Sequence, residues 1–343
     1  MLALRKTGPF FGAALEQVPE PARLKPDEVL IQVKAAGICG SDVHAFEWTP
    51  GYEFMRDRLP LTLGHEFAGT VIRTGEEARI DPGTPVAVAP SYACMHCRAC
   101  QQGRFEFCAT RQTVGLTQDG AFAPLVVAPA RACHILPPGM DPEIAALTEP
   151  LTVGDTANQV GEVGLGDVVV VLGPGTIGQG IALMAKRRGA RRVIVAGKGD
   201  SSRLAIARAL GATDTLDVED GPMLPRIAEM VGERGVDRVF EATGIGRSIG
   251  EGLALLRKGG ILVAAGIHAA PAEIDLTALV RNKQQIRGTH SATRLSWERV
   301  LGVLAADPEA VRPMITHRLP LDRGIEGFEL ARSRQASKVM LMP

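Results

Sequence analysis

Asp167–Asp200 reads DVVVVLGPGTIGQGIALMAKRRGARRVIVAGKGD. Val168–Leu172 is an unbroken apolar, mostly β-branched run, which predicts a strand buried on both faces. Gly173-Pro174-Gly175-Thr176-Ile177-Gly178 follows at once, then a helical run to Gly189, and Val193–Val195 starts a second strand. A lone G-x-G-x-x-G is a weak signal, but between a strand and a helix it is a specific one. The glycines permit a tight turn and let the backbone approach a pyrophosphate at the helix N-terminus. Gly173, Gly175, Thr176, Ile177 and Gly178 are therefore expected to hold a dinucleotide. The alternative is an ordinary glycine-rich strand-to-helix turn.

Downstream, Arg238–Glu241 precedes Ala242-Thr243-Gly244, and Gly260–Val263 precedes Gly266-Ile267, with helical stretches expected at Ser202–Leu210 and Ile249–Arg257. Alternating strands and helices predict a doubly wound parallel sheet. Ligands of such sheets lie at the carboxyl ends of the strands, which puts Thr243, Gly266 and Ile267 near the dinucleotide. The end of the second strand usually carries an acid for the adenine ribose hydroxyls. Here that slot holds Gly197, followed by Lys198, with Arg203 beyond. Loss of the acid and gain of cations favour a 2′-phosphate, so NADP is expected over NAD. The competing reading has Asp200 reaching back to the ribose. Lys186, Arg187, Arg188, Arg191 and Arg192 are read as a solvated helix end.

The chain has 343 residues, a length that suggests two domains. Lys plus Arg and Asp plus Glu are both 38, so the net charge is zero, which argues against nucleic acid or an anionic membrane as the main partner. Hydrophobic residues make up 45%, too many for a disordered chain. The N-terminal segment lacks a sustained apolar run, and the apolar stretch Val168–Ala185 is broken by glycines and a proline. Neither a secretory signal nor a membrane span is expected, and a cytoplasmic location follows as the default. Cysteines are then thiols or metal ligands.

Four of the six cysteines, Cys94, Cys97, Cys100 and Cys108, fall in CMHCRACQQGRFEFC as C-x2-C-x2-C-x7-C. Four clustered thiolates suit a closed structural zinc site. Free thiols, a disulfide pair and iron–sulfur ligation are the alternatives. Cys133 is read as a packed small residue. A second, dispersed set comprises Cys39 in AAGICGSDVHA, His65 and Glu66 in LTLGHEFAGTV, and Glu149 in LTEPLTVG. Each is weak singly. Together, one thiolate, one imidazole and carboxylates suit a catalytic zinc with an open position. Ser41 and His44 follow Cys39 and offer the hydroxyl and imidazole that a proton relay needs.

GICGSDVH (37–44), GHEFAGTVIRTGEEA (64–78), the cysteine loop (94–108), TEPLTVG (148–154), GPGTIG (173–178) and GFELARSRQASKVML (327–341) together resemble the zinc-containing medium-chain dehydrogenase/reductase family, in its alcohol and polyol dehydrogenase group. The resemblance covers most of the chain in the family's order. It implies an α/β architecture: a GroES-like, mostly-β catalytic domain from residues 1–152 and 294–343, and a Rossmann domain from 153–293. It implies that Cys39 and His65 ligate the catalytic zinc, with Glu66 and Glu149 binding directly or through water. It implies that Cys94, Cys97, Cys100 and Cys108 hold the structural zinc, that Ser41 and His44 relay the proton, and that Thr152 flanks the nicotinamide. A homodimer or homotetramer is implied as well. SDVHAFEW and the C-terminal segment are similar to the L-threonine 3-dehydrogenase and sorbitol dehydrogenase groups, and TEPLTVG to the polyol enzymes.

The expected activity is oxidation of a secondary alcohol on a small polar, polyol- or sugar-like substrate, with hydride transfer to NAD(P). Oxidation of an amino alcohol such as threonine is the alternative. A zinc-free reductase of the same fold would not need Cys39, His65 and Glu149, and a non-catalytic dinucleotide-binding protein would not need the relay. Trp48, Tyr52, Glu53 and Arg56 are candidate substrate-reading groups or plain surface loop.

Overall fold

The computed structural model describes residues 1–343, which divide into two units, Met1–Glu149 with Trp297–Pro343, and Pro150–Ser296. The strands of the N-terminal segment are β1 (Leu2–Lys6), β2 (Ala14–Gln17), β3 (Glu28–Gly37), β4 (Leu61–Thr62), β5 (Glu66–Thr74), β6 (Pro85–Val88), β7 (Ser91–Tyr92), β8 (Gln112–Thr113), β9 (Leu125–Pro129) and β10 (Cys133–Ile135). Those of Pro150–Ser296 are β11 (Val168–Leu172), β12 (Arg192–Gly197), β13 (Asp214–Asp217), β14 (Val236–Glu241), β15 (Leu256–Ala264) and β16 (Gln285–Gly288). The chain ends in β17 (Ile315–Pro320) and β18 (Lys338–Met342).

In the first unit, β10-β6-β5-β3-β18-β17 form one sheet, with β9 also paired to β3, and β2-β1-β4 form another. Its mostly-β core gathers Val29, Ile31, Val33, Phe46, Phe67, Val86, Phe122 and Phe328. The C-terminal strand β18 lies against β3, so the end of the chain completes the sheet that its beginning starts. Ala36 of β3 is set opposite both Leu341 and Phe67.

The second unit is a six-stranded parallel sheet of order β13-β12-β11-β14-β15-β16. The order reverses at β11, the mark of a doubly wound Rossmann sheet. Val169 and Val171 pack into one cluster and Val168, Val170 and Leu172 into another, so the central strand is buried on both faces as its composition requires.

Two expectations are corrected. The helix expected at Ile249–Arg257 is Gly246–Leu255, and β15 begins at Leu256. Leu256 pairs with Val236 across a bulge, and Arg257 reaches Asp237 at 2.6 Å, so tertiary pairing takes residues whose local pattern reads as helical. The basic helix end is also not wholly solvated. Arg188 bonds the buried Asp155 at 2.6 Å, and Arg192 bonds Asp214 at 2.7 Å.

Candidate active site

Strand register builds the site of the first unit. Antiparallel pairing sets Gly37 of β3 opposite Glu66 of β5, and Met340 of β18 opposite Gly37. Cys39, just past β3, thereby meets His65 and Glu66 at the head of β5, while Lys338 enters from the start of β18. One ligand atom from each of Cys39, His65 and Glu66 lies within 4.8 Å of the others. Close packing demands glycine at 37, where a Cβ would stand 2.5 Å from Glu66 Oε2 and 3.2 Å from Lys338 Cδ.

Cys39 is the N-cap of the helix Gly40–Glu47. Asp42, fully buried in its first turn, accepts the N–H of Cys39 at 3.0 Å and that of Gly64 at 3.3 Å. Asp42 Oδ1 also lies 3.3 Å from His65 Nδ1. A carboxylate on Nδ1 orients the ring and leaves Nε2 for a metal. Ser41 Oγ is 3.1 Å from that Nε2. His44 Nδ1 bonds Thr49 Oγ1 at 3.0 Å. Between Ser41 and His44 stands Tyr52, stacked on His44 with ring centroids 5.6 Å apart. Burial, then Cys39 and Asp42, push the Tyr52 phenol well up, while Ser41 eases it.

Lys338 Nζ bonds Glu66 Oε2 at 2.5 Å and the carbonyl of Ile38 at 2.9 Å. Both charged residues are almost wholly excluded from solvent. Burial alone would lower the Lys338 ammonium, but Glu66 and Cys39 hold it above the ordinary lysine value. Burial and Glu66 raise the Cys39 thiol against the pull of His65 and Lys338. Burial opposes a charged His65, yet Asp42 and Cys39 outweigh it and hold the ring well above the usual histidine range. Glu149 stands outside the three converging ligand atoms. Its carboxyl is pushed up to about 7, by burial first and by Glu66 and Asp42.

These groups fit a zinc ion. Glu66 Oε1 is buried without a hydrogen-bond partner, beside a thiol and an imidazole. An unpaired buried acceptor is costly, and a cation satisfies it. A sulfur, a nitrogen and an oxygen donor leave a tetrahedral ion one open position.

The four-cysteine lobe carries its own geometric signature. Its sulfurs are separated by 3.5 Å (Cys97–Cys100), 3.9 Å (Cys97–Cys108) and 4.0 Å (Cys94–Cys100). Four thiolates around one zinc at ~2.3 Å stand about 3.8 Å apart. Thr110 and the backbone N–H of His96 draw the Cys94 thiol down to about 5, so a thiolate forms readily there. A Cys97→Ser chain is expected to lose one zinc by elemental analysis and to become sensitive to proteolysis within 94–108, with dinucleotide affinity unchanged. Full retention of metal would contradict the assignment.

In the second unit, sterics dictate glycine at 173, where φ is +106°, and at 178. A Cβ on Gly178 would lie 1.8 Å from the Gly173 carbonyl oxygen. Gly175 caps the helix Thr176–Arg187, and a Cβ on it would meet nothing within 4 Å. The loop is closed behind and open in front, as a pyrophosphate cradle needs. Ile177 is half-buried in the helix's first turn, and Thr152 is fully buried in the helix Thr148–Val160. Thr243, Gly266 and Ile267 lie past the ends of β14 and β15. At β12, Gly197 packs on Pro174, Lys198 is exposed, and Arg203 pairs with Asp200 through Nε at 3.0 Å and through Nη2. Asp42, Lys338 and the Asp200–Arg203 pair were not singled out as partners by the sequence. The only local sign was an acid inside GSDVH and a lysine inside an otherwise apolar final strand.

Residues 25–138 match the alcohol dehydrogenase GroES-like domain, and residues 176–306 match the zinc-binding dehydrogenase family. The chain belongs to the zinc-dependent medium-chain alcohol dehydrogenase family and is a dehydrogenase of that kind. It is 36% identical to an L-threonine 3-dehydrogenase of Bacillus subtilis (strain 168), over 100% of this chain and 99% of that one. It is 32% identical to a sorbitol dehydrogenase of Halalkalibacterium halodurans, over 98% and 96%. Among solved structures it resembles the alcohol dehydrogenase of Thermus sp. ATN1, with TM-score 0.91, 28% identity and complete coverage of both chains. A chain of the zinc-binding dehydrogenase type from Sinorhizobium meliloti 1021, solved bound to NADP, superposes with TM-score 0.87 at 28% identity, over 100% and 99%. No helix is long and apolar enough to cross a membrane.

Proposed function

We propose that this dehydrogenase oxidises a secondary alcohol of a small polar, polyol- or sugar-like substrate, using zinc held by Cys39, His65 and Glu66 with Glu149 in reserve. The observation that carries this reading is the convergence of those three ligand atoms beside Ser41, with Glu66 Oε1 buried and unpartnered. When bound, zinc supplies Lewis acidity that lowers the substrate hydroxyl pKa, and the dinucleotide supplies the hydride acceptor. Asp42 orients His65 through Nδ1. Ser41 Oγ accepts the substrate's hydroxyl proton as it releases its own toward His44, which takes that proton and passes it outward. Burial keeps the His44 ring below the usual histidine value, so it is neutral and able to accept at pH 7. Lys338 holds Glu66 Oε2 and leaves Oε1 for the metal.

The candidate substrate-reading groups divide. Glu53 is turned to the Gly51 N–H at 2.7 Å, and Arg56 lies over the Trp48 ring. Tyr52, buried and adjoining Ser41 and His44, is the one facing the relay. A phenol suits a neutral hydroxyl-bearing substrate. The second reading, oxidation of L-threonine, is carried by the 36% identity to the Bacillus enzyme. Assays of reduced-nicotinamide absorbance with D-sorbitol and with L-threonine separate the two. Turnover of threonine alone would replace the first reading with the second.

For the dinucleotide, the reading is NADP. Gly197 brings no carboxylate to the ribose slot, Lys198 is exposed beside it, and Asp200 is engaged by Arg203. The Lys198 ammonium favours a 2′-phosphate, and the Arg203 guanidinium offsets the carboxylate of Asp200 that would repel one. NADPH is expected to bind about tenfold or more tightly than NADH by fluorescence titration. Equal affinities would remove this part of the proposal.

A further inference from the structure

Glu241, the last residue of β14, is wholly buried. Its Oε1 accepts the Thr243 N–H at 2.6 Å, the Thr243 hydroxyl at 2.5 Å and the Gly244 N–H at 3.0 Å. Its Oε2 lies 2.9 Å from His268 Nε2, on the loop that follows β15. The two loops are packed tightly, since a Cβ on Gly266 would sit 2.4 Å from Gly244 N and 2.7 Å from Glu241 Oε2. A carboxylate oxygen requires a donor, so Nε2 carries the hydrogen, and in that tautomer Nδ1 is an acceptor. Nδ1 is buried and has no partner in the chain.

The position of that acceptor narrows what can satisfy it. Glu241 is opposite Leu172, the residue before Gly173, and opposite Ala264 of β15. His268 therefore belongs to the carboxyl edge of the sheet, on the β14–β15 side of the switch at β11. Gly197, Lys198 and Arg203 occupy the β12 side, where the adenosine end is read. With the pyrophosphate at 173–178, the β14–β15 side is left for the nicotinamide riboside. Phosphate oxygens cannot donate to Nδ1, whereas a ribose hydroxyl or the carboxamide NH2 can.

Resting on the dinucleotide reading above, we propose that His268 is a further dinucleotide-binding residue. Its Nδ1 accepts a hydrogen bond from the nicotinamide-riboside half, and Glu241 sets the ring's tautomer and orientation. His268→Lys is the discriminating variant, because its ammonium can still donate to Glu241 while lysine has no acceptor to replace Nδ1. Unfolding midpoint should stay at the wild-type value. Affinity for NADPH or NADH, read by fluorescence titration, should fall about tenfold. Affinity for adenosine 2′,5′-bisphosphate or ADP, which lack the nicotinamide half, should not change. The acetylpyridine analogue, which lacks the carboxamide N–H2, separates the two donors. If the carboxamide is the donor, the wild type discriminates against the analogue and the variant does not; if a ribose hydroxyl is the donor, the variant weakens both alike. Unchanged dinucleotide affinity in the variant overturns the proposal, as does an equal loss for the adenosine fragments. A wild-type chain that binds no dinucleotide at all would instead defeat the underlying functional reading.

Discussion

Cys39→Ser is expected to abolish alcohol turnover while the chain still binds its dinucleotide. The substitution keeps a small polar residue at the N-cap of Gly40–Glu47, where serine is itself a good cap, so the local fold survives. What it removes is the single sulfur donor among Cys39, His65 and Glu66. A neutral hydroxyl does not replace a thiolate as a zinc ligand. Loss of Lewis-acid activation is expected to lower kcat on the order of a thousandfold or more. Elemental analysis should show the zinc content falling from about two ions per chain to about one, since the thiols of 94–108 are untouched. Dinucleotide affinity should hold, because the Gly173–Gly178 loop belongs to the other unit. Turnover within tenfold of the wild type would reject the zinc mechanism and revive a zinc-free reductase. Loss of both turnover and dinucleotide binding would point to misfolding rather than chemistry.

Lys338→Met should produce the largest loss of stability of any single change near the site. Lys338 and Glu66 are buried together, and the ammonium also holds the Ile38 carbonyl, just before Cys39. Methionine matches the lysine stem in volume and removes the charge together with its hydrogen bonds to Glu66 and Ile38. Glu66 Oε2 then loses the partner that holds it. Breaking a buried pair by removing one partner costs about 3–5 kcal/mol, because the remaining charge stays in the interior. Urea unfolding would read that loss as a lower midpoint. Adding Glu66→Gln to the variant should restore part of the stability, and the double-mutant cycle should report a coupling of at least about 1 kcal/mol. A single-variant loss below about 1 kcal/mol would mean that the pair is relieved by some other group.

Much of this site could be read from local sequence because its chemistry is local. The cysteines of 94–108 come at spacings that only a tight loop can serve, and their sulfurs do stand at zinc-like separations. The loop 173–178 needs glycine for steric reasons internal to those six residues, as the 1.8 Å clash at Gly178 makes plain. Val168–Leu172 could be recognised as a doubly buried strand from composition alone, since polar residues would have no solvent to face. GICGSDVH and GHEF each carry candidate ligands on a single turn or strand start, so the residues were visible even though their meeting was not.

The sequence by itself therefore determined the α/β fold class, the four-cysteine cluster and the glycine turn after β11, the last two of which depend on neighbours within a few residues. Only the tertiary structure decided which distant groups share an environment. Lys338 reaches Glu66 across 272 positions through the pairing of β18 with β3, and no periodicity encodes that register. Asp200 turned out to be paired with Arg203, and His268 to be clipped to Glu241 with one nitrogen left over. The strand start at Leu256 overrode a helical pattern because Val236 was there to pair with it. The physical reason is common to all of these. Spacing along the chain governs turns, caps and local ligand sets, whereas the partner of a buried charge is fixed by strand register and by the exclusion of water, which exist only once the sheets have assembled.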